Sequence, residues 1–265
     1  MRTCWVIAAL ALAAGPKPAR AQSSGPANVY VFPLFADGTA HGTSYRAVLT
    51  VARTGATDTL QCTLTQRNTS ASFTGVDGYT YSADVLDAGF SPPALTQLTL
   101  DRYLPWEILR THGEAPLKAG YAKLSCPDTV QTQLQLSLFG AQNNKLGEAT
   151  ILPAARGTSF RFLIDTRDRT RLGFSLANDS PAAGQFAVIA RDRFNYEVDR
   201  AYDMIEAWSQ VSRFVDEVIH LPADFAGTVE IVGLSGNQYY AVGLQFTGFV
   251  FTAIQPLVRD TPVGY

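Results

Sequence analysis

Apolar and polar residues alternate with a period of two along most of this chain. Leu134, Leu136 and Leu138 are interleaved with Gln133, Gln135 and Ser137, and Leu172, Phe174 and Leu176 with Gly173, Ser175 and Ala177. Val242, Leu244 and Phe246 alternate in the same way with Gly243, Gln245 and Thr247. A strand patterned like this buries one face and wets the other, as antiparallel sheets packed face to face require. Turn-forming runs fall between such stretches: Ala36-Asp37-Gly38, Asp77-Gly78, Asn143-Asn144 and Ser235-Gly236-Asn237. The pattern predicts strands at 28–35, 43–52, 58–66, 79–86, 95–100, 106–110, 120–126, 130–139 and 148–152. It predicts a second set at 158–165, 171–177, 184–192, 196–199, 205–211, 227–233, 239–247 and 250–257. One helical turn is expected within 213–219, where Phe214, Val218 and Ile219 would close one end of a core.

Gly42-Thr43-Ser44-Tyr45-Arg46 nearly recurs as Gly157-Thr158-Ser159-Phe160-Arg161, 115 residues later. A repeat of domain length points to duplication. The expected fold is therefore all-β: two tandem antiparallel β-sandwiches, immunoglobulin-like in the broad sense, at 22–152 and 153–265. Tyr45 and Phe160 should occupy equivalent buried positions. The junction at 150–156 is short and apolar, so the two modules should pack together without a free hinge.

Residues 1–21 read as a secretory signal, with Arg2 ahead of an apolar run of about ten residues and Ala19-Arg20-Ala21 at the cleavage point. That run is too short to span a bilayer, which needs about 20 residues. Cys4 precedes it, which excludes the lipoprotein pattern. The formal charge of the whole chain is −2. Without Arg2, Lys17 and Arg20 there are 18 Lys and Arg against 23 Asp and Glu, a net charge near −5. Nothing here favours nucleic acid, an anionic membrane surface or membrane insertion. The expected location is the periplasm or the extracellular space. Cys62 and Cys126 lie in phase with the apolar positions of their strands. In an oxidising compartment such an inward-facing pair reads as a disulfide.

Several phrases resemble those of uncharacterised secreted bacterial proteins built from duplicated β-sandwiches. They are Phe32-Pro33-Leu34-Phe35-Ala36-Asp37-Gly38, Leu117-Lys118-Ala119-Gly120-Tyr121-Ala122-Lys123 and Gly147-Glu148-Ala149. Near the end they are Leu221-Pro222-Ala223-Asp224-Phe225-Ala226-Gly227-Thr228-Val229-Glu230, Ala241-Val242-Gly243-Leu244-Gln245-Phe246-Thr247-Gly248 and Phe251-Thr252. The resemblance covers most of the chain after the signal. It implies the fold and the secreted setting, and it brings no catalytic residues.

The residues offer little chemistry. His41, His112 and His220 are isolated in sequence, and no Gly-x-Ser-x-Gly elbow occurs. Ile164-Asp165-Thr166 lacks the glycine of an aspartic-protease loop, because Arg167 follows. Asp165-Thr166-Arg167-Asp168-Arg169-Thr170-Arg171 reads as a solvated hairpin laced with weak ion pairs, since interleaved arginines would repel a Ca²⁺ ion. Asp37, Asp84 and Asp87 have no diagnostic spacing, and neither a metal nor a cofactor is expected. Asn68-Thr69-Ser70 and Asn178-Asp179-Ser180 match the glycan acceptor pattern. Aromatic residues are the remaining candidates for a ligand. Tyr79 and Tyr81 share a strand face, and Trp106, Trp208, Tyr239 and Tyr240 lie near strand ends. Exposed in a row, Tyr79, Tyr81, Tyr239 and Tyr240 would stack on sugar rings. The expected function is a secreted, non-catalytic structural or interaction protein of adhesion type, with an extracellular protein or glycan as partner. A carbohydrate- or surface-binding module is the alternative, and a hydrolase using a carboxylate pair the third.

Overall fold

Pro33 sits in a slip of the first strand's ladder. In the computed structural model, which describes residues 28–40, 42–54, 59–68, 73–74, 80–81, 94–101, 106–113 and 117–259, strand β1 runs over Asn28–Ala40. Proline has no N–H to give to a ladder, and the pairing slips between Phe32 and Phe35. Up to Asp37, β1 pairs with β8 (Lys118–Cys126); from Gly38 to Ala40 it pairs with β2 (Thr43–Arg53). The remaining strands of this half are β3 (Thr59–Asn68), β4 (Phe73–Thr74), β5 (Thr80–Tyr81), β6 (Ala94–Asp101), β7 (Trp106–Arg110), β9 (Val130–Phe139) and β10 (Lys145–Ile151). Apart from the small β4–β5 ladder, all join one antiparallel sheet in the order β10-β9-β2-β1-β8-β3-β6, with β7 added on β2. The two wings on either side of β1 share one core. Leu60, Leu64, Leu98 and Leu124 of one wing belong to the same buried cluster as Ala47, Leu49, Leu134 and Leu136 of the other.

Two further sheets follow β11 (Arg156–Gly157). The outer one is ordered β15-β14-β17-β12-β20. Its strands are β12 (Ser159–Asp165), β14 (Gly184–Asp192), β15 (Glu197–Ile205), β17 (Ala226–Gly233) and β20 (Leu257–Arg259). The other is ordered β11-β18-β13-β16 with β19 on β18. It contains β13 (Arg171–Asn178), β16 (Ser209–Phe214), β18 (Tyr239–Thr247) and β19 (Val250–Ile254). Between these sheets Phe160, Phe162, Phe186, Val188 and Ile231 meet Leu172, Phe174, Leu176, Val211 and Ala241. Gly243 makes this packing possible, because a Cβ there would stand 2.9 Å from the Phe162 ring. A single turn, α1 (Val215–Val218), closes the end of that core as expected, with Val215 buried.

The second sheet is buried on both faces. Val242, Leu244, Phe246, Phe251 and Phe214 turn away from the outer sheet and join the core of the first half. Here the expectation of one buried and one wet face gives way: Ser175 and Ala177, on the face of β13 that alternation leaves to water, are 2% and 0% exposed. Burying that face requires the polar groups on it to be paired. Ser175 Oγ donates to the Pro33 carbonyl at 2.7 Å, and the Gln210 amide donates to both Ser175 and Ser212. The carbonyl beside the slip in β1 is thus satisfied from the next layer.

Tyr45 and Phe160 are both buried, at 2% and 0% exposure. Their strands have different surroundings, since β2 lies between β9 and β1 while β12 lies between β17 and β20. The other departure concerns 196–211, expected as two strands broken at 200–204. The structure has an unbroken β15 through those residues and places the turn at 206–208, where Trp208 takes φ +55. Of the strand expected at 79–86, only Thr80 and Tyr81 fall within the described residues.

Candidate functional site

Cys62 and Cys126 form a disulfide, with Cα atoms 4.3 Å apart and both residues fully buried. They lie opposite each other on the neighbouring strands β3 and β8, so the bond crosses a ladder inside one sheet.

The densest polar cluster sits where the two halves meet. Tyr121 of β8 donates its hydroxyl to Asp179 Oδ1 at 2.9 Å, and Lys123 Nζ donates to Oδ2 at 2.6 Å. Asp179 is held in place by its turn. Asn178 Nδ2 donates to the carbonyls of Ala182 and Glu206, Ser180 Oγ donates to Asn178 Oδ1, and Trp208 N donates to the Ser180 carbonyl. Arg67 of β3 stacks on the Trp208 ring at 4.5 Å, a cation–π contact between the halves. Tyr240 packs beside Val31, Tyr121 and Ala177. Burial first, then the Asp179 charge and hydrogen bond, push the Tyr121 phenol well above the usual range. A phenol held neutral cannot act as a base near neutral pH, and each oxygen of Asp179 already accepts a hydrogen bond. The cluster is a clasp. Asn178, fully buried with its amide engaged, cannot carry a glycan; Thr69 and Ser70 of the other acceptor pattern lie outside the described residues.

This clasp has an alkaline signature. A phenol whose folded pKa is raised above its unfolded value of about 10 contributes stability that is complete below that pH and is lost above it. Tyr121→Phe is expected to cost about 1–3 kcal/mol at neutral pH. The gap to the wild type should narrow by about pH 11, where the unfolded wild-type chain gains from ionising Tyr121. Urea unfolding of both proteins at the two pH values checks it. Parallel alkaline losses would refute the assignment.

Of the four tyrosines expected to form a row, the two with described side chains, Tyr239 and Tyr240, do not share a face. Tyr239 is fully buried, with its hydroxyl 3.1 Å from Ser235 Oγ, and offers no face to a sugar. Tyr240, its neighbour on the strand, points to the opposite face and is half-buried in the clasp. Tyr79 and the side chain of Tyr81 lie outside the described residues. Of the histidines, His112 and His220 are exposed, the His220 backbone N–H donates to Asp199, and His41 is outside the described residues. Among the described residues no three of His, Cys, Asp and Glu converge as metal ligands. In the charged run 165–171, hydrogen bonds from Arg167 hold the exposed Asp165 carboxyl down to about 2. Arg171 forks onto Asp216 with two 2.8 Å contacts and lies over the Phe214 ring.

Sequence reasoning missed an exposed apolar row. The hairpin tip and β15 carry Phe194, Tyr196, Tyr202 and Met204, exposed by 66%, 73%, 64% and 55%. Tyr202 and Met204 lie across from Ala187 and Gln185 on the outer face of the sheet, with Arg200 across from Ile189. The residues between them, Asp199, Ala201 and Asp203, lie across from the core positions Ala190, Val188 and Phe186. β15 thus turns Asp199 and Asp203, with Ala201 and the buried Ile205, toward the core side of the edge, and Tyr202 and Met204, with Arg200, outward. A slip of the ladder between Ala190 and Arg191 accompanies this phase.

No family model matches the chain, and no curated protein matches it. Among solved structures, a candidate secreted protein from Parabacteroides distasonis aligns over 82% of this chain and 89% of its own, at 9% identity and a TM-score of 0.19. The structure of the Macrobrachium rosenbergii nodavirus aligns over 94% of this chain and 96% of its own, at 10% identity and a TM-score of 0.15. At these scores neither neighbour bears on the fold or the function of this chain.

Proposed function

We propose that the protein is a secreted, non-catalytic interaction protein of adhesion type, which binds another protein through the outer face of β15. Two tandem β-sandwiches, 22–152 and 153–265, behind a signal at 1–21, form the scaffold of this reading. The carrying observation is the exposure of Tyr202 and Met204 on the outer face of β15. Burying Tyr202 and Met204 would be favourable by about 1.5–3 kcal/mol for a side chain of Met size, yet both face water. Tyr, Met and Arg are also the residues enriched where proteins meet. Met204 gives nothing to the hydroxyl groups of a glycan, which favours a protein partner over a sugar. A disulfide and the absence, among the described residues, of a helix long and apolar enough to cross a membrane support the secreted setting.

The test compares the wild type with a Tyr196→Ser, Tyr202→Ser, Met204→Ser variant. All three side chains are exposed, so the melting temperature should hold while capture of a secreted or cell-surface protein falls at least tenfold. Capture unaffected by the variant would remove β15 from the reading. Binding on a glycan array that the variant abolishes would favour the sugar. Turnover of a chromogenic glycoside, ester or peptide, lost on changing one acid or histidine, would make the protein an enzyme.

A further inference from the structure

The outer sheet ends in two unlike edges. β20 is 3 residues long, and shortness alone blunts an edge, whereas β15 runs for 9 residues without proline or lysine. No described strand pairs with the open side of β15. Its peptide groups alternate between the sheet and that open side. Asp192 N donates to the Tyr196 carbonyl and Leu234 N to the Gln185 carbonyl, so even positions of β14 bond toward β15 and odd ones toward β17. Ala190, Val188 and Phe186 lie across from Asp199, Ala201 and Asp203. Those three residues of β15 therefore spend their N–H and C=O groups on β14, while Arg200, Tyr202 and Met204 direct theirs away from the sheet. Two of these outward N–H groups are already taken. Arg200 N donates to Asp199 Oδ1 at 2.8 Å, and Met204 N donates to Asp203 Oδ1 at 2.7 Å. Asp199 is pinned at its other oxygen by His220 N at 2.6 Å.

We propose that the edge of β15 is a latent self-association site, which Asp199 and Asp203 keep closed to a second copy of this chain. An open edge is a template for another strand, whose carbonyls would have to reach the N–H groups of Arg200, Tyr202 and Met204. At two of these it would meet a carboxylate oxygen where it needs a donor, and would strip water from that carboxylate. Charge works in the same direction. In an antiparallel pair centred on Ala201, Asp199 would face Asp203 of the second copy on two rungs, and like charges directly opposite each other are destabilising. Centring the pair on Tyr202 avoids that clash, but both caps must still be given up. This second register is what makes another copy the occupant. Tyr202 meets itself, the Arg200 stem lies against Met204, and the pair closes on a twofold axis. It would also cover part of two side chains that are 64% and 55% exposed. The edge and the outer face are different surfaces, so this reading and the docking of a partner on the face can fail separately.

The experiment compares the full mature protein with an Asp199→Ala, Asp203→Ala variant by sedimentation over a wide range of concentration. The wild type should stay monomeric. The variant should dimerise, at least about tenfold more tightly than any association of the wild type. Hydrogen exchange on the variant should show the Tyr202 and Met204 amides slowed as the dimer forms, which ties the contact to the edge. Asp203→Ala alone leaves the Asp199–His220 contact in place, so it keeps the test readable if the double variant fails to fold. Folded variants that remain monomeric throughout would overturn the proposal. So would a wild type that already dimerises with its Tyr202 amide protected, or a variant dimer in which that amide still exchanges freely.

Discussion

Residues 153–265 expressed alone should aggregate, and the full chain should unfold in a single transition. The reason is the middle sheet. Val242, Leu244, Phe246, Phe251 and Phe214 belong to the core of the first half, so a cut at the junction exposes all five. At about 1.5–3 kcal/mol for each such side chain, the exposed face forfeits on the order of 10 kcal/mol. Extended-chain bookkeeping makes that an upper value, but a whole domain is stable by only about 5–15 kcal/mol. The aromatic contacts concentrate the effect at Phe246, whose ring centroid lies 5.1 Å from that of Phe214 and 5.3 Å from that of Phe251. Phe246→Ala should therefore cost about 3–5 kcal/mol. It should lower the melting of both halves together. Calorimetry of the full chain, with calorimetric and van't Hoff enthalpies compared, tests the single transition. A folded, monomeric 153–265 fragment, or two resolved transitions, would sink the idea.

That shared core marks where local pattern stops being informative. Alternation located nearly every strand, because a half-buried strand writes its period into five or six residues without help from the rest of the chain. β2, β9, β14 and β18 begin and end within a residue of where their patterns place them. The cysteines were legible for the same reason, both being in phase with buried leucines. Alternation does not say what covers the second face. On β13 that face carries Gly173, Ser175 and Ala177, which read as neutral; they are small because another layer lies against them. The signal was the absence of charge, not the presence of hydrophobicity. β15 misled in the opposite direction. Tyr202 and Met204 alternate with Asp199 and Asp203 as in any amphipathic strand, and only the slip at Ala190 sets which face turns outward. Tyr239 and Tyr240 show the same limit at single-residue scale, since adjacent residues of one strand point to opposite faces and cannot join one row.

Removing the disulfide should cost about 4 kcal/mol. The cysteines are 64 residues apart, and in the chain-entropy model a closed loop of that length takes about this much freedom from the unfolded chain. Most of the effect lies in the unfolded state, because the folded ladder between β3 and β8 already holds the two positions opposite each other. Thr63 pairs with Ser125 and Leu64 with Leu124 on the adjoining rungs. Cys62→Ala with Cys126→Ala should therefore keep the native fold while the midpoint of urea unfolding drops. Its slope should rise, since a chain free of the cross-link exposes more surface when it unfolds. Single substitutions should do worse than the pair, because each leaves one thiol in a fully buried site where it can form mixed disulfides during folding. Both residues are buried at 0% exposure, so reduction in native buffer should be slow and should speed up sharply in mild denaturant, where β3 opens from β8. Intact mass after alkylation, with and without prior reduction, follows this directly. Two thiols alkylated in the unreduced protein would falsify the bond. A double variant less than about 1 kcal/mol weaker than the wild type, against the 2–5 kcal/mol typical of small secreted domains, would show that the unfolded chain keeps β3 and β8 together without it.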